Sequence, residues 1–129
     1  MEKIYKKPVV SIDTGLSEGV YAASGASANQ GTLSVTYYGV WDRWGTNGGK
    51  ALALADWSDL SGTITLHVTF NDIIDQAETT AGSVSCSGNT ATFTFDAKTP
   101  ENPLTLGFHL NHGTSIDNLQ MTGFTYSVK

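Results

Sequence analysis

The run Gly62-Thr-Ile-Thr-Leu-His-Val-Thr-Phe70 decides the fold. Ile64, Leu66, Val68 and Phe70 share one parity, and Thr63, Thr65, His67 and Thr69 share the other. Side chains alternate between faces along a strand, so this segment has one oily face and one hydroxyl-rich face. Its β-branched and aromatic residues suit a pleated surface. A helix, with a period of 3.6, would scatter the apolar set around its circumference. The segment reads as a central strand of a two-sheet sandwich.

The same alternation recurs on both sides of it. Upstream, Leu33, Val35 and Tyr37 share one face of 32–41, and Ser34, Thr36 and Tyr38 the other. Asn47-Gly48 then signals a tight turn. Lys50 to Ala55 returns with Leu52 and Leu54 on one parity, although Ala and Leu also allow a short helix there. Downstream, 71–81 fits either one or two helical turns capped by Asn71 or an irregular edge strand, because Ile73 and Ile74 are adjacent. Val84 and Cys86 read as inward, Ser87-Gly-Asn89 as a hairpin turn, and Ala91, Phe93 and Phe95 as the core side of the next strand. Leu104, Leu106, Phe108 and Leu110 form the second clean alternator. In 119–128 the parity changes between Met121 and Phe124, and Gly123 is where a bulge would reset it. The expected fold is therefore all-β, an immunoglobulin-like or jelly-roll β-sandwich of seven to eight antiparallel strands.

Composition limits the function. The 129 residues suffice for one domain with its own core. Cys86 is the single cysteine, so an intrachain disulfide is impossible. Twelve acids against seven bases give a net charge of −5, and three of those bases, Lys3, Lys6 and Lys7, lie ahead of Pro8. Such a body repels phosphate backbones, which argues against nucleic acid as a partner. No apolar run approaches the roughly 20 residues of a membrane helix. Fourteen glycines, abundant Thr and Ser and few charges lead to the expectation of a secreted or cell-surface protein.

Residues 1–29 differ from the rest and are separated from a sandwich domain at 30–129. They read as a flexible arm, as an added edge strand with Pro8 at its beginning, or as a leader removed near Ala22 to Ala26, although the continuous apolar stretch of an ordinary signal peptide is missing. Tyr5-Lys-Lys-Pro8 followed by Glu18-Gly-Val-Tyr-Ala-Ala-Ser-Gly25 is similar to the start of many small proteins of gut anaerobes.

The run from Leu60 to Phe70, the hairpin Ser87-Gly-Asn-Thr-Ala-Thr-Phe-Thr-Phe95 and the strand Leu104-Thr-Leu-Gly-Phe-His109 together resemble family 2 carbohydrate-binding modules and related immunoglobulin-like sandwiches. Leu106-Gly-Phe108 stands where that family has its final Phe-Gly-Phe strand. The likeness implies a sandwich and a non-catalytic, glycan-binding role. It departs at Thr63, where the family has a tryptophan, and in 71–90, which contains none, so the family's flat cellulose platform does not transfer.

The strongest candidate site is aromatic. Tyr37, Tyr38, Trp41, Trp44 and Trp57 include every tryptophan of the chain. An exposed indole stacks on the C–H face of a sugar while carboxylates, amides and guanidinium bind its hydroxyl rim. The expected ligand contacts are Trp44, Trp41, Trp57, Tyr38, Arg43, Asn47 and Asp42, with Trp44 the exposed platform and a polysaccharide or glycan the partner. Trp41 and Trp44 would face opposite ways in a regular strand unless Asp42-Arg43 forms a bulge. The competing reading is that two of the three tryptophans are packing residues. A second functional reading is a structural or interaction protein that forms a homo-oligomer, or adds a strand to a neighbour, through residues 6–12.

Other chemistry is less well supported. His67 and His109 have outward parity and would meet if their strands were neighbours. Asp56/Asp59 and Asp72/Asp75 could offer oxygens to calcium, but no loop has the required pattern. There is no Gly-x-Ser-x-Gly, His-Glu-x-x-His or phosphate-binding glycine loop, so no catalytic residue, metal or cofactor is expected and the chain is read as a non-enzyme. Cys86 reads as a buried, unreactive thiol.

Overall fold

A computed structural model describes residues 31–45 and 48–129. The arm or leader at 1–29, the strand-adding segment 6–12 and Asn47 lie outside the described residues. Eight strands follow in order: β1 Thr32–Arg43, β2 Gly49–Ser58, β3 Thr63–Phe70, β4 Gln76–Thr79, β5 Ser83–Ser87, β6 Thr90–Asp96, β7 Leu104–Leu110 and β8 Met121–Val128, with a 3-10 turn at Ile116–Asn118. They form two four-stranded antiparallel sheets, ordered β1-β2-β7-β4 and β5-β6-β3-β8. Among the described strands only β1–β2 and β5–β6 are hairpins within one sheet. Every other connection between these strands crosses to the opposite sheet, so the chain winds both sheets into one β-sandwich.

The predicted inward parities build the core. Ile64, Leu66, Val68 and Phe70 of β3 are buried, as are Ala91, Phe93 and Phe95 of β6 and Leu104, Leu106, Phe108 and Leu110 of β7. Aromatic rings close the space between the sheets. Phe108 of one sheet meets Phe70 of the other with centroids 4.5 Å apart and Phe93 at 5.7 Å. Tyr37 and Trp57 of the first sheet reach Phe70 and Phe95 of the second at 5.7 Å and 4.8 Å. These tilted and edge-on contacts place hydrogen-bearing ring edges against π faces, beyond the gain from burial alone.

Ambiguous segments acquire definite structures. Lys50 to Ala55 is strand, not helix, because Ala51, Ala53 and Ala55 bury their methyls completely while Leu52 and Leu54 stay half-buried outside. The oily parity of that strand is thus the small residues, which leave room for the large rings opposite. In 71–81 only Gln76–Thr79 pairs, against β7, with Ile74 buried and Ile73 exposed. The register shift in β8 falls between Gly123, opposite Thr69, and Met121, opposite Phe70, leaving Thr122 as the extra residue. Cys86 is only half-buried, because β5 is an edge strand. Burial, followed by the charge of Asp75, pushes its thiol pKa up, so it favours the uncharged form.

Phe108 contacts rings on two strands of the opposite sheet, so the sandwich should be sensitive to its loss. Phe108→Ala is expected to lower stability by about 3–5 kcal/mol, read as a fall in the urea midpoint with the slope of the transition unchanged. A loss under about 1 kcal/mol would mean that the sheets close over the gap.

Candidate binding face

The site grows out of the β1–β2 hairpin. Gly48 has φ +123, and a Cβ there would lie 2.0 Å from the Leu110 carbonyl oxygen. Only glycine lets the hairpin backbone lie so close to the end of β7. The Trp44 N–H donates to the Gly48 oxygen at 3.0 Å and closes the turn. The Trp44 ring thereby meets His109 of β7 edge-to-face, centroids 5.4 Å apart and 66° between planes. His109 alternates with the buried Phe108 and Leu110, so this contact lies on the outer face of the first sheet.

Strand register supplies the neighbours. Asp42, Lys50, His109 and Gln76 form one row across β1, β2, β7 and β4. The next row is Gly39, Leu52, Gly107 and Glu78. Lys50 reaches diagonally over Gly107 to form an ion pair with Glu78, and His109 Nε2 lies 3.3 Å from the same Glu78 oxygen. A Cβ on Gly107 would come within 2.7 Å of Glu78 Cγ and 3.1 Å of Lys50 Cε, so the missing side chain is what admits the pair. The Lys50 hydrogen bond, and after it the one to His109, hold the Glu78 carboxyl below its ordinary pKa against the opposing effect of burial.

The predicted ligand contacts divide. Trp44 is on this face and 37% exposed. Its indole Nε1–H donates to Asp42 Oδ2 at 3.1 Å, while Asp42 Oδ1 accepts the Arg43 backbone N–H at 2.9 Å. Asp42 therefore fixes the Trp44 ring. Arg43 is held by Asp117, to which Nε and a terminal nitrogen donate at 3.0 and 2.8 Å. Tyr38 and Trp41 are 64% and 67% exposed. Each is the extra residue where the β1–β2 register shifts, so the bulge lies at Trp41 itself rather than at Asp42-Arg43. Trp57 must be removed from the set. It is 5% exposed on the inner face, packs on Phe95, and donates its Nε1–H to the Ala97 oxygen at 3.0 Å.

Lys50, Glu78 and Gly107 were absent from the expected set. The outward parity of His109 was legible, but the rows that bring it beside Lys50 and Glu78 depend on strand order. The histidines also separate: β3 and β7 belong to different sheets, so His67 bonds Thr92 at 2.9 Å, far from His109 in the topology. Among the described residues no group of three or more His, Cys, Asp or Glu side chains is arranged to hold a metal ion. Nor is any described helix long and apolar enough to cross a membrane.

Asp72 and Asp75 instead clamp His112, whose Nε2 lies 3.2 Å from Asp72 and whose Nδ1 lies against Asp75. Asp75 also accepts the Asn111 N–H. This ties the loop after β7 to the start of β4. Arg43–Asp117, paired bonds between Asn71 and Asn118/Gln120, and the Tyr37 hydroxyl donating to the Leu119 oxygen tie down the rest of that loop.

The clamp titrates. The Asp75 hydrogen bond raises the His112 pKa, burial opposes it, and the Asp72 bond and both carboxylate charges add to the rise. For Asp75, burial pushes upward, but the His112 and Asn111 hydrogen bonds and the His112 charge together bring its pKa below the ordinary value. A raised histidine stabilises the fold fully below its unfolded pKa and loses that contribution as pH rises through the folded one. A depressed carboxylate contributes above its unfolded pKa and loses that as pH falls through the folded one. The clamp is thus intact between the lowered Asp75 value and the raised His112 value. NMR titration should give His112 a midpoint above about 6.5, with Asp75→Asn moving it down. A midpoint unmoved by that substitution would remove the clamp.

No family model matches the chain, and no curated protein or solved structure matches it.

Proposed function

We propose that the chain is a non-catalytic binding module that takes carbohydrate on the outer face of the β1-β2-β7-β4 sheet. The observation that carries this reading is the setting of Trp44. Its ring is part-exposed above a sheet, braced by His109, and its only hydrogen-bond donor is occupied by Asp42. What the indole still offers is its π surface, which suits the C–H face of a pyranose. Lys50, Glu78 and Asp42 beside it provide charged and accepting atoms for hydroxyl groups. Tyr38 and Trp41 add exposed aromatic surface on the same edge strand. The resemblance to family 2 carbohydrate-binding modules points the same way, with a different set of aromatic residues. With this reading we propose an address outside the cell or on its surface.

The second reading is an exported structural or interaction protein that assembles through residues 6–12. It is favoured by the exposure of Tyr38 and Trp41 on an edge strand, since large aromatics in such positions serve protein contacts equally well.

The two readings separate in one titration. With soluble neutral polysaccharides, wild-type tryptophan emission should shift to the blue and saturate. Trp44→Ala should weaken binding roughly tenfold or more, while buried Trp57 contributes a constant background. If Trp44→Ala binds as wild type does, or no glycan moves the emission, the carbohydrate reading falls. A concentration-dependent mass that disappears on deleting residues 1–12 would then support the second.

A further inference from the structure

The charges on the Trp44 face carry a statement about which glycans it admits, and it rests on the carbohydrate reading above. We propose that Glu78 sets the charge class of the ligand: by engaging Lys50 and His109 it reserves the face for uncharged sugar chains and closes it to uronic acid or sulfated ones.

An anionic sugar needs a cation with donors to spare, because bringing a carboxylate onto a protein surface is favourable only when its charge and lone pairs are met. The described residues offer four lysine or arginine side chains. Lys50 is paired with Glu78. Arg43 is turned away to Asp117 by a two-pronged contact. Lys98 and Lys129 are at the opposite end of the sandwich, where the Ala97 N–H donates to Gly62 and the Lys129 N–H to Thr63. His109 shares the Glu78 carboxylate. With Lys50 and Glu78 balancing each other, the charge left near the indole is the carboxylate of Asp42. Gly107 makes the arrangement possible, since a side chain there would part Lys50 from Glu78.

Glu78→Gln keeps the size of the side chain and removes its charge, leaving the Lys50 ammonium and His109 unbalanced on the face. The test is tryptophan fluorescence with two probes at one ionic strength, a neutral β-glucan and polygalacturonate, for wild type, Glu78→Gln, and the double variant Glu78→Gln with Lys50→Gln. Wild type should bind the glucan and leave polygalacturonate unbound. Glu78→Gln should raise the ratio of polygalacturonate to glucan affinity by roughly tenfold, the size of one charge-assisted hydrogen bond. That gain should fade with added salt and vanish in the double variant. Wild type binding polygalacturonate as tightly as the glucan overturns the proposal and leaves the carbohydrate reading intact. A Glu78→Gln ratio equal to that of wild type also overturns it. If neither probe binds, the proposal is overturned, and the carbohydrate reading is then decided by the wider glycan titration above.

Discussion

Phe108 stands in the middle of one sheet with its ring between Phe70 and Phe93 of the other. Interiors are packed to the density of organic crystals, so a ring held on two sides cannot turn without displacing both neighbours. That contact fixes the phase of β7. With Leu106, Phe108 and Leu110 committed inward, Thr105, Gly107 and His109 are committed outward. A slip of one residue would bury a histidine and expose a phenylalanine. The packing of the core thus also places His109 under the Trp44 ring and Gly107 beneath the Lys50–Glu78 pair.

How much was legible follows from this. Strands with strict alternation, Gly62 to Phe70, Thr90 to Phe95 and Leu104 to Leu110, declared their faces in the sequence, and with them the sandwich. Gly123 marked the bulge in β8 within one residue. Segments governed by partners rather than by their own pattern were harder. In β2 the buried parity is alanine and the half-exposed parity is leucine, the reverse of what hydrophobicity suggests, because the opposite sheet supplies the bulk. Trp57 follows the alanine parity, so the same inversion hid its burial. In β4 four paired residues are too few to show any period. Of the proposed face, the aromatics were visible in the sequence and the charges were not. Nothing in the order of the chain announces that Glu78 and Lys50 meet across a glycine on a strand between them.

Most polar side chains near Trp44 serve the protein itself. Asp42 takes one hydrogen bond from the hairpin on each oxygen, Arg43 anchors the loop before β8, and His112 joins that loop to β4. Polar groups so committed make a rigid surround, which reduces the ordering that a ligand must impose when it binds. If the face binds as we propose, its specificity would come from shape and from charges already balanced, more than from side chains that reorganise.

The two interruptions in β1 have a consequence for the protein in concentrated solution. β1 has 12 residues and, among the described strands, forms the border of its sheet, the kind of strand on which a stray chain can lengthen a sheet indefinitely. Its unbroken register ends at Tyr37, and the extra residues Tyr38 and Trp41 then put it out of step twice before Arg43. An incoming straight strand loses its hydrogen-bond rhythm at the first of these and again at the second. The aromatics most exposed to solvent are therefore carried on backbone that cannot serve as a long template, and they can remain at the surface without inviting fibrous growth.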